Sequence, residues 1–260
     1  MSGIRLSIDH IWIVSVLALS WLFLSLAPLP ANDLWWHMAA GRTMVQEGSL
    51  LTTNRWAYTL PFNAPYVYQS WLSEILMYGL YRLGDVPFLS LSRTLSIVGA
   101  STIIAWHAFR RSRHGIATGL ALLGAMMAGW DNWTLRPQTY AFVLGASFAA
   151  LLGEVLAGRL RRRWLGILPM ITIIWANTHG SFVLAPILLM LAWIGMWCDT
   201  VRADVARPPE RLIRDLALAT GATMLATCIN PLGLTFIWLP CCQMNRCSAG
   251  LSNGRLRRQA

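Results

Sequence analysis

Apolar residues run through this chain in long uninterrupted blocks, with the polar positions between the blocks rather than alternating inside them. Blocks at 11–29, 87–109, 116–130, 139–158, 164–176, 182–198 and 216–229 predict helices, because they outrun the length of ordinary strands. Several approach the roughly 20 residues that carry a helix across a bilayer. A helix satisfies its own backbone groups in lipid, so the pattern predicts an all-α polytopic membrane bundle of about seven spans. The first block is long for a secretory signal and many more follow, which makes it an uncleaved first span.

Between the first and second spans the pattern changes. Pro28 and Pro30 close the first helix, and a loop rich in Trp, Tyr, Pro and Asn follows. Within it, Asn32 or Asp33 caps a short helix running to about Gln46, with Gly48 as its stop. Thr52-Thr53-Asn54 and Pro61-Phe62-Asn63-Ala64-Pro65 read as turns. Residues 71–83 form a second short helix, polar only at Ser73, Glu74 and Arg82, of a length suited to the interface. Residues 1–240 thus make one membrane domain whose long first outer loop, 30–86, carries short interfacial helices. Residues 241–260 lose the apolar character and are expected to be a disordered tail.

Charge sets the orientation. Only 12% of residues are charged, mean hydropathy is +0.50, and all 21 basic residues are arginine, for a net charge of +10. The loops after the second, fourth and sixth spans carry three, four and four arginines, and excess positive charge marks the cytoplasmic side. The N-terminus is therefore placed inside and the first loop outside. Short arginine clusters between apolar blocks do not make a nucleic-acid face. The five cysteines, at 198, 228, 241, 242 and 247, lack the spacing and the histidine partners of a zinc site.

Polar groups that orientation does not explain gather on the outer side: Asp33, His37, Glu74, Asp131, Arg136, Asn177, His179 and Asn230. Asp33 and His37 lie at i and i+4 and share a helix face, which Gly41 continues with room beside it. Such a pair suits a general base or a phosphate or metal contact; the alternative is an N-cap followed by an interfacial histidine. Arg136 suits a diphosphate, or else pairs with Asp131. The span at 164–176 rises only about 20 Å, so Asn177 and His179 either sit in a wet cavity or cap a helix hairpin. Trp35-Trp36 suit stacking on sugars or isoprenoid chains, or an interfacial belt. His10, His107 and His114 fall on the inner side, as solvated surface groups.

Asp33-Leu34-Trp35-Trp36-His37 with Gly41-Arg42, then Tyr58-Thr59, Gln69-Ser70-Trp71-Leu72-Ser73-Glu74, Leu135-Arg136-Pro137-Gln138, Trp175-Ala176-Asn177-Thr178-His179-Gly180-Ser181 and Asn230-Pro231-Leu232-Gly233 follow one another along the chain. In that order they resemble the integral-membrane C-type glycosyltransferases, closest to bacterial relatives of the protein mannosyltransferases. The resemblance implies a multi-pass enzyme of the bacterial cytoplasmic membrane, with membrane lipids and a polyprenyl-phosphate-linked sugar as its partners and no nucleic acid. It implies Asp33 as the catalytic base with His37 beside it. Glu74, Arg136, Asn177, His179 and Asn230 would contact donor, acceptor or a divalent cation. Family members are longer, which implies a truncated chain. The rival expectation is a non-catalytic membrane protein, either a lipid or solute carrier or an inactive fragment.

Overall fold

The computed structural model describes residues 8–31, 33–201, 208–231 and 233. Among them the regular elements are helices, apart from a single isolated antiparallel bridge between Thr53 and Pro65. The helices are α1 (Ile8–Leu26), α2 (Leu34–Glu47), α3 (Trp71–Ser112), α4 (Gly115–Ala128), α5 (Pro137–Leu156), α6 (Ile167–Thr178), α7 (Leu184–Val201) and α8 (Glu210–Ala226). The expected tail and Asn32 lie outside the described residues.

Among the described residues, four helical stretches are long and apolar enough to cross a membrane: Ile8–Leu26, Trp71–Ser112, Pro137–Leu156 and Gly180–Val201. The expectation of about seven counted every apolar block, whereas length separates them. α4 and α6 have 14 and 12 residues, a rise of about 20 Å against a hydrocarbon core of about 30 Å. α8 has 17 residues, and Glu210, Arg211, Arg214 and Asp215 occupy its first two turns.

The short helix expected after Asp33 is α2, and Gly48 ends it in the left-handed conformation (φ +63°) that a glycine adopts without strain. Asp33 holds the N-cap position, but its side chain makes no capping hydrogen bond. The helix expected at 71–83 continues into the next block as α3, and the two parts are separated where Gly84 and Asp85 leave helical geometry. Pro87 falls in the first turn after that break, where its missing N–H costs nothing.

Contacts between helix ends define two poles. At one, the Asp9 carboxylate of α1 accepts from the Gly115 N–H that begins α4, Arg110 of α3 reaches Glu154 of α5, and Arg162 pairs with Asp215 of α8. At the other, Arg93 of α3 donates to the last carbonyls of α1, at Leu24, Ala27 and Pro28. Trp71 at the start of α3 meets Asn177 at the end of α6, which in turn meets Ile229 beyond α8. The arginine-rich connections gather at the first pole and the expected site residues at the second. Phe148, Leu168, Phe182, Leu189 and Leu216 form the main core between α5, α6, α7 and α8.

Candidate functional site

α2 lies directly on the start of α3. A Cβ at Gly41 would stand 2.1 Å from the Glu74 carbonyl oxygen, so only glycine permits this approach. The space expected beside Gly41 is therefore filled by the α3 backbone. The close approach carries His37, one turn earlier, to the Glu74 carboxylate, with Nδ1 2.8 Å from Oε1. The imidazole thus takes Glu74 as its partner, and no hydrogen bond joins it to Asp33. Glu74 is 1% exposed, and its second oxygen, Oε2, has no hydrogen-bond partner.

The start of α3 is fixed to the end of α6. The Trp71 indole N–H donates to Asn177 Oδ1 at 2.8 Å, and Ser73 Oγ donates to the Thr178 carbonyl at 3.0 Å. Asn177 Nδ2 donates to the carbonyls of Ile173 and Ile229. All of its polar capacity except one lone pair is spent on the frame, so Asn177 braces the site rather than facing into it.

His179 is the first residue after α6, in extended geometry. Its Nδ1 accepts from the Ser181 backbone N–H at 3.2 Å and meets Ser181 Oγ at 2.9 Å, and that hydroxyl accepts from the Trp175 indole. An accepting Nδ1 leaves the ring proton on Nε2. Burial lowers the His179 pKa, and the neighbouring His37 lowers it further, so the neutral ring is the stable form.

Asp33 and Arg136 stand at the rim. Their closest atoms are 3.4 Å apart, and the Asp33 side chain is 59% exposed. Arg136, before the first residue of α5, takes Asp33 and not Asp131 as its ion-pair partner among the described residues. Asn230 donates to the Thr227 carbonyl at 2.7 Å and lines a pocket formed with the first loop.

The loop after α2 is organised by Asn54, which is 3% exposed. Its amide bonds the backbone of Ala57, Leu60 and Pro61. Trp36, Trp56, Tyr66 and Tyr68 pack on one another there, Trp36 and Tyr68 stacked at 5.8 Å. Burial raises the pKa of both tyrosines, and the Glu74 charge adds to it. A Cβ at Gly180 would meet Gln69 Nε2 at 2.5 Å, so Gln69 lies against the His179 turn.

Of the eight buried side-chain polar atoms without a hydrogen-bond partner among the described residues, seven are at this pole: on Arg55, Tyr68, Gln69, Glu74, Arg93, Thr134 and Arg136. Such atoms are rare in folded proteins, where buried polar groups are nearly always hydrogen-bonded. No group of three or more His, Cys, Asp or Glu side chains gathers as metal ligands among the described residues.

Three features escaped the sequence reading. Tyr66 and Tyr68 were signalled only by the aromatic density of the loop. Arg93, 2% exposed inside an apolar block, caps α1. Glu154, equally hidden in a block, is buried against His107, Arg110 and Arg159. His107 is thus a partner of a buried acid, not the solvated group expected, because the C-terminal end of α5 covers it.

The fold and site define an all-helical, apolar protein with one polar, hydrogen-bond-deficient pole. Comparison with models of known protein families, with curated proteins and with solved structures finds no match for the chain.

Proposed function

We propose that the chain transfers a sugar from a polyprenyl-phosphate donor to a hydroxyl acceptor on the outer face of the bacterial cytoplasmic membrane. The observation that carries this reading is the buried His37–Glu74 pair with an unpaired carboxylate oxygen, at the pole away from the arginine clusters. Glu74 Oε2 takes the acceptor proton while His37 holds Oε1 in place. The acceptor oxygen bonds to the anomeric carbon, and the bond from that carbon to the phosphate oxygen breaks. Polyprenyl phosphate leaves with the negative charge, which Arg136 offsets. Asp33, expected as the base, instead positions Arg136 from the rim. Nε2–H of His179 is a donor for a phosphate or acceptor oxygen. Asn177 and Asn230 keep the frame closed around them.

An apolar cavity of about 420 Å³, lined by Ile97, Leu122, Phe142, Leu188 and Ser181 among others, supports the lipid part of this reading. It gives an isoprenoid chain a place beside the His179 turn. The test uses the purified chain in proteoliposomes with short-chain polyprenyl-phosphate sugars, following release of polyprenyl phosphate by mass spectrometry. Release is expected from the wild type and lost in Glu74→Gln and His37→Ala. A wild type that binds donors and releases nothing is a non-catalytic lipid-binding protein, and release untouched by Glu74→Gln removes the assigned base.

A further inference from the structure

A cavity of about 1000 Å³ opens at the arginine-rich pole, between the end of α5, the turn Arg162–Gly166 that follows it, the end of α7 and the start of α8. Leu156, Met196 and Leu212 give it an apolar wall, and four arginines, at 161, 162, 163 and 214, line it with Asp215 as the one carboxylate. Asp215 holds two of these guanidiniums in place: it accepts from Arg162 Nη1 at 2.5 Å and from Arg214 Nη2 at 3.3 Å. Each contact uses one of the five N–H groups of its guanidinium. The two arginine side chains remain 40% and 70% exposed, so their other donors are open to a ligand. Arg161 and Arg163 are exposed, and their side chains make no hydrogen bond or ion pair among the described residues. Arg110 and Arg159, at the same pole, are by contrast spent on Glu154.

Charge and wall together select the occupant. Four arginines against one carboxylate leave the cavity positive, and a cleft with low-dielectric walls focuses that field. Guanidinium groups match phosphate oxygens through paired N–H donors. A phosphate ion alone would fill little of the volume and leave the apolar wall in water. A neutral lipid would cover that wall and leave the charge unmatched. α5 and α7 are both long and apolar enough to cross a membrane, and the cavity lies where they end. In a membrane crossed by them, that is the level at which lipid head groups meet hydrocarbon, and basic pockets between helices there take anionic head groups.

We infer that this cavity is a binding site for one anionic phospholipid, with its phosphate among Arg161, Arg162, Arg163 and Arg214 and an acyl chain against Leu156, Met196 and Leu212. The site lies at the pole opposite the one to which sugar transfer is assigned, and it stands without that reading. Its lining comes from α5, α7 and α8, so a bound lipid joins three helices and stabilises the folded chain by mass action.

The experiment uses the full chain in a neutral detergent, with lipids counted per chain by native mass spectrometry. Phosphatidylglycerol is titrated against phosphatidylcholine of the same acyl chains, with glycerol phosphate and inorganic phosphate as head-group fragments. One phosphatidylglycerol is expected to be retained per chain, about tenfold or more tightly than phosphatidylcholine, and to raise the thermal midpoint further. Arg161→Gln combined with Arg163→Gln, and Arg214→Gln by itself, are expected to weaken it about fivefold per arginine removed. Arg111→Gln combined with Arg113→Gln removes two exposed charges at the same pole outside the cavity, and is expected to leave binding unchanged. All of these side chains are exposed, and unchanged helical circular dichroism confirms that each variant folds. The site is overturned if phosphatidylcholine binds or stabilises as well, or if the cavity variants bind like the wild type. It is overturned equally if the control pair weakens binding as much as the Arg161 and Arg163 pair, which is attraction of bulk lipid to the pole. Glycerol phosphate or inorganic phosphate binding as tightly as the lipid makes the cavity a site for free phosphate and removes the acyl chain from it.

Discussion

Two imidazole–carboxylate pairs sit near opposite ends of α3, and at first sight they are the same object. His37 meets Glu74 at 2.8 Å and His107 meets Glu154 at 2.7 Å, with both carboxylates almost fully buried and both rings about 15% exposed. The difference is in what is left over. Arg159 donates to both oxygens of Glu154, at 2.7 and 2.8 Å, and Arg110 stands 3.4 Å from one of them. Glu74 has His37 on Oε1 and nothing on Oε2. A buried acid with every lone pair matched is a brace between helices. One with a lone pair to spare has capacity left for a ligand, a water or a proton. The geometry of a pair therefore says little about its role, and its unsatisfied remainder says more.

The largest effect expected from this comparison is on the bracing side. Glu154→Ala leaves Arg159 and Arg110 facing an emptied site and unties α3 from α5. Breaking a buried ion pair from one side costs about 3–5 kcal/mol. Unfolding in bicelles, followed by helical circular dichroism, should show a loss of that order, while ligand binding per folded molecule stays unchanged. A loss below about 1 kcal/mol would mean that the arginines find equivalent partners and that Glu154 is no brace.

Glu74→Gln should do the reverse. Glutamine keeps an acceptor for His37 and removes only the base, so stability should move by about 1 kcal/mol or less. Sugar transfer should fall by about a hundredfold or more, the scale of a lost general base. If the two variants exchanged these signatures, the assignment of brace and site would be inverted.

How far the sequence shows this contrast depends on chain separation. α2 with its Gly48 stop, the break at Gly84-Asp85 and the polar face were legible, because each is encoded within a few residues. The partner of His37 was not. Spacing of i and i+4 offered Asp33, but helix geometry alone does not fix which side chains close a pair, and a residue 37 positions away won through the contact at Gly41. Glu154 was hidden for a related reason: one acid in a long apolar block does not change the block's character, and its three partners come from another helix, α3, and from the connection after α5. About seven crossings were expected and four stretches among the described residues have both the apolar character and the length for one, because these are separate properties. α6 has the first without the second.

The rim pair gives a smaller effect. Asp33 and Arg136 are 3.4 Å apart with a largely exposed carboxylate, so the ion pair itself is worth up to about 1 kcal/mol and weakens with salt. Asp33→Asn should lower transfer by about fivefold or less at low ionic strength, and the difference from wild type should shrink as salt rises. A loss as large as that of Glu74→Gln, independent of salt, would restore Asp33 as the base and reduce the buried pair to a support. The two carboxylates are thus separable by one salt titration.

The smallest effect tests whether the site pole is as poorly solvated as its unpaired atoms suggest. Burial and the adjacent His37 lower the His179 pKa below its ordinary 6.5. Above about 6.5 the ring is neutral whether the chain is folded or not, and the site holds it without penalty. As pH falls from there toward the folded value, the unfolded chain binds a proton that the folded chain refuses, so stability is lost with acidification. The wild type should therefore lose more stability than His179→Gln between pH 7 and pH 5. Comparing the two chains cancels the contributions of groups remote from His179, which both share. Parallel pH profiles would show His179 to be solvated as an ordinary surface histidine, and the contrast between a matched pole and an unmatched one would then rest on Glu74, Tyr68 and Gln69 alone.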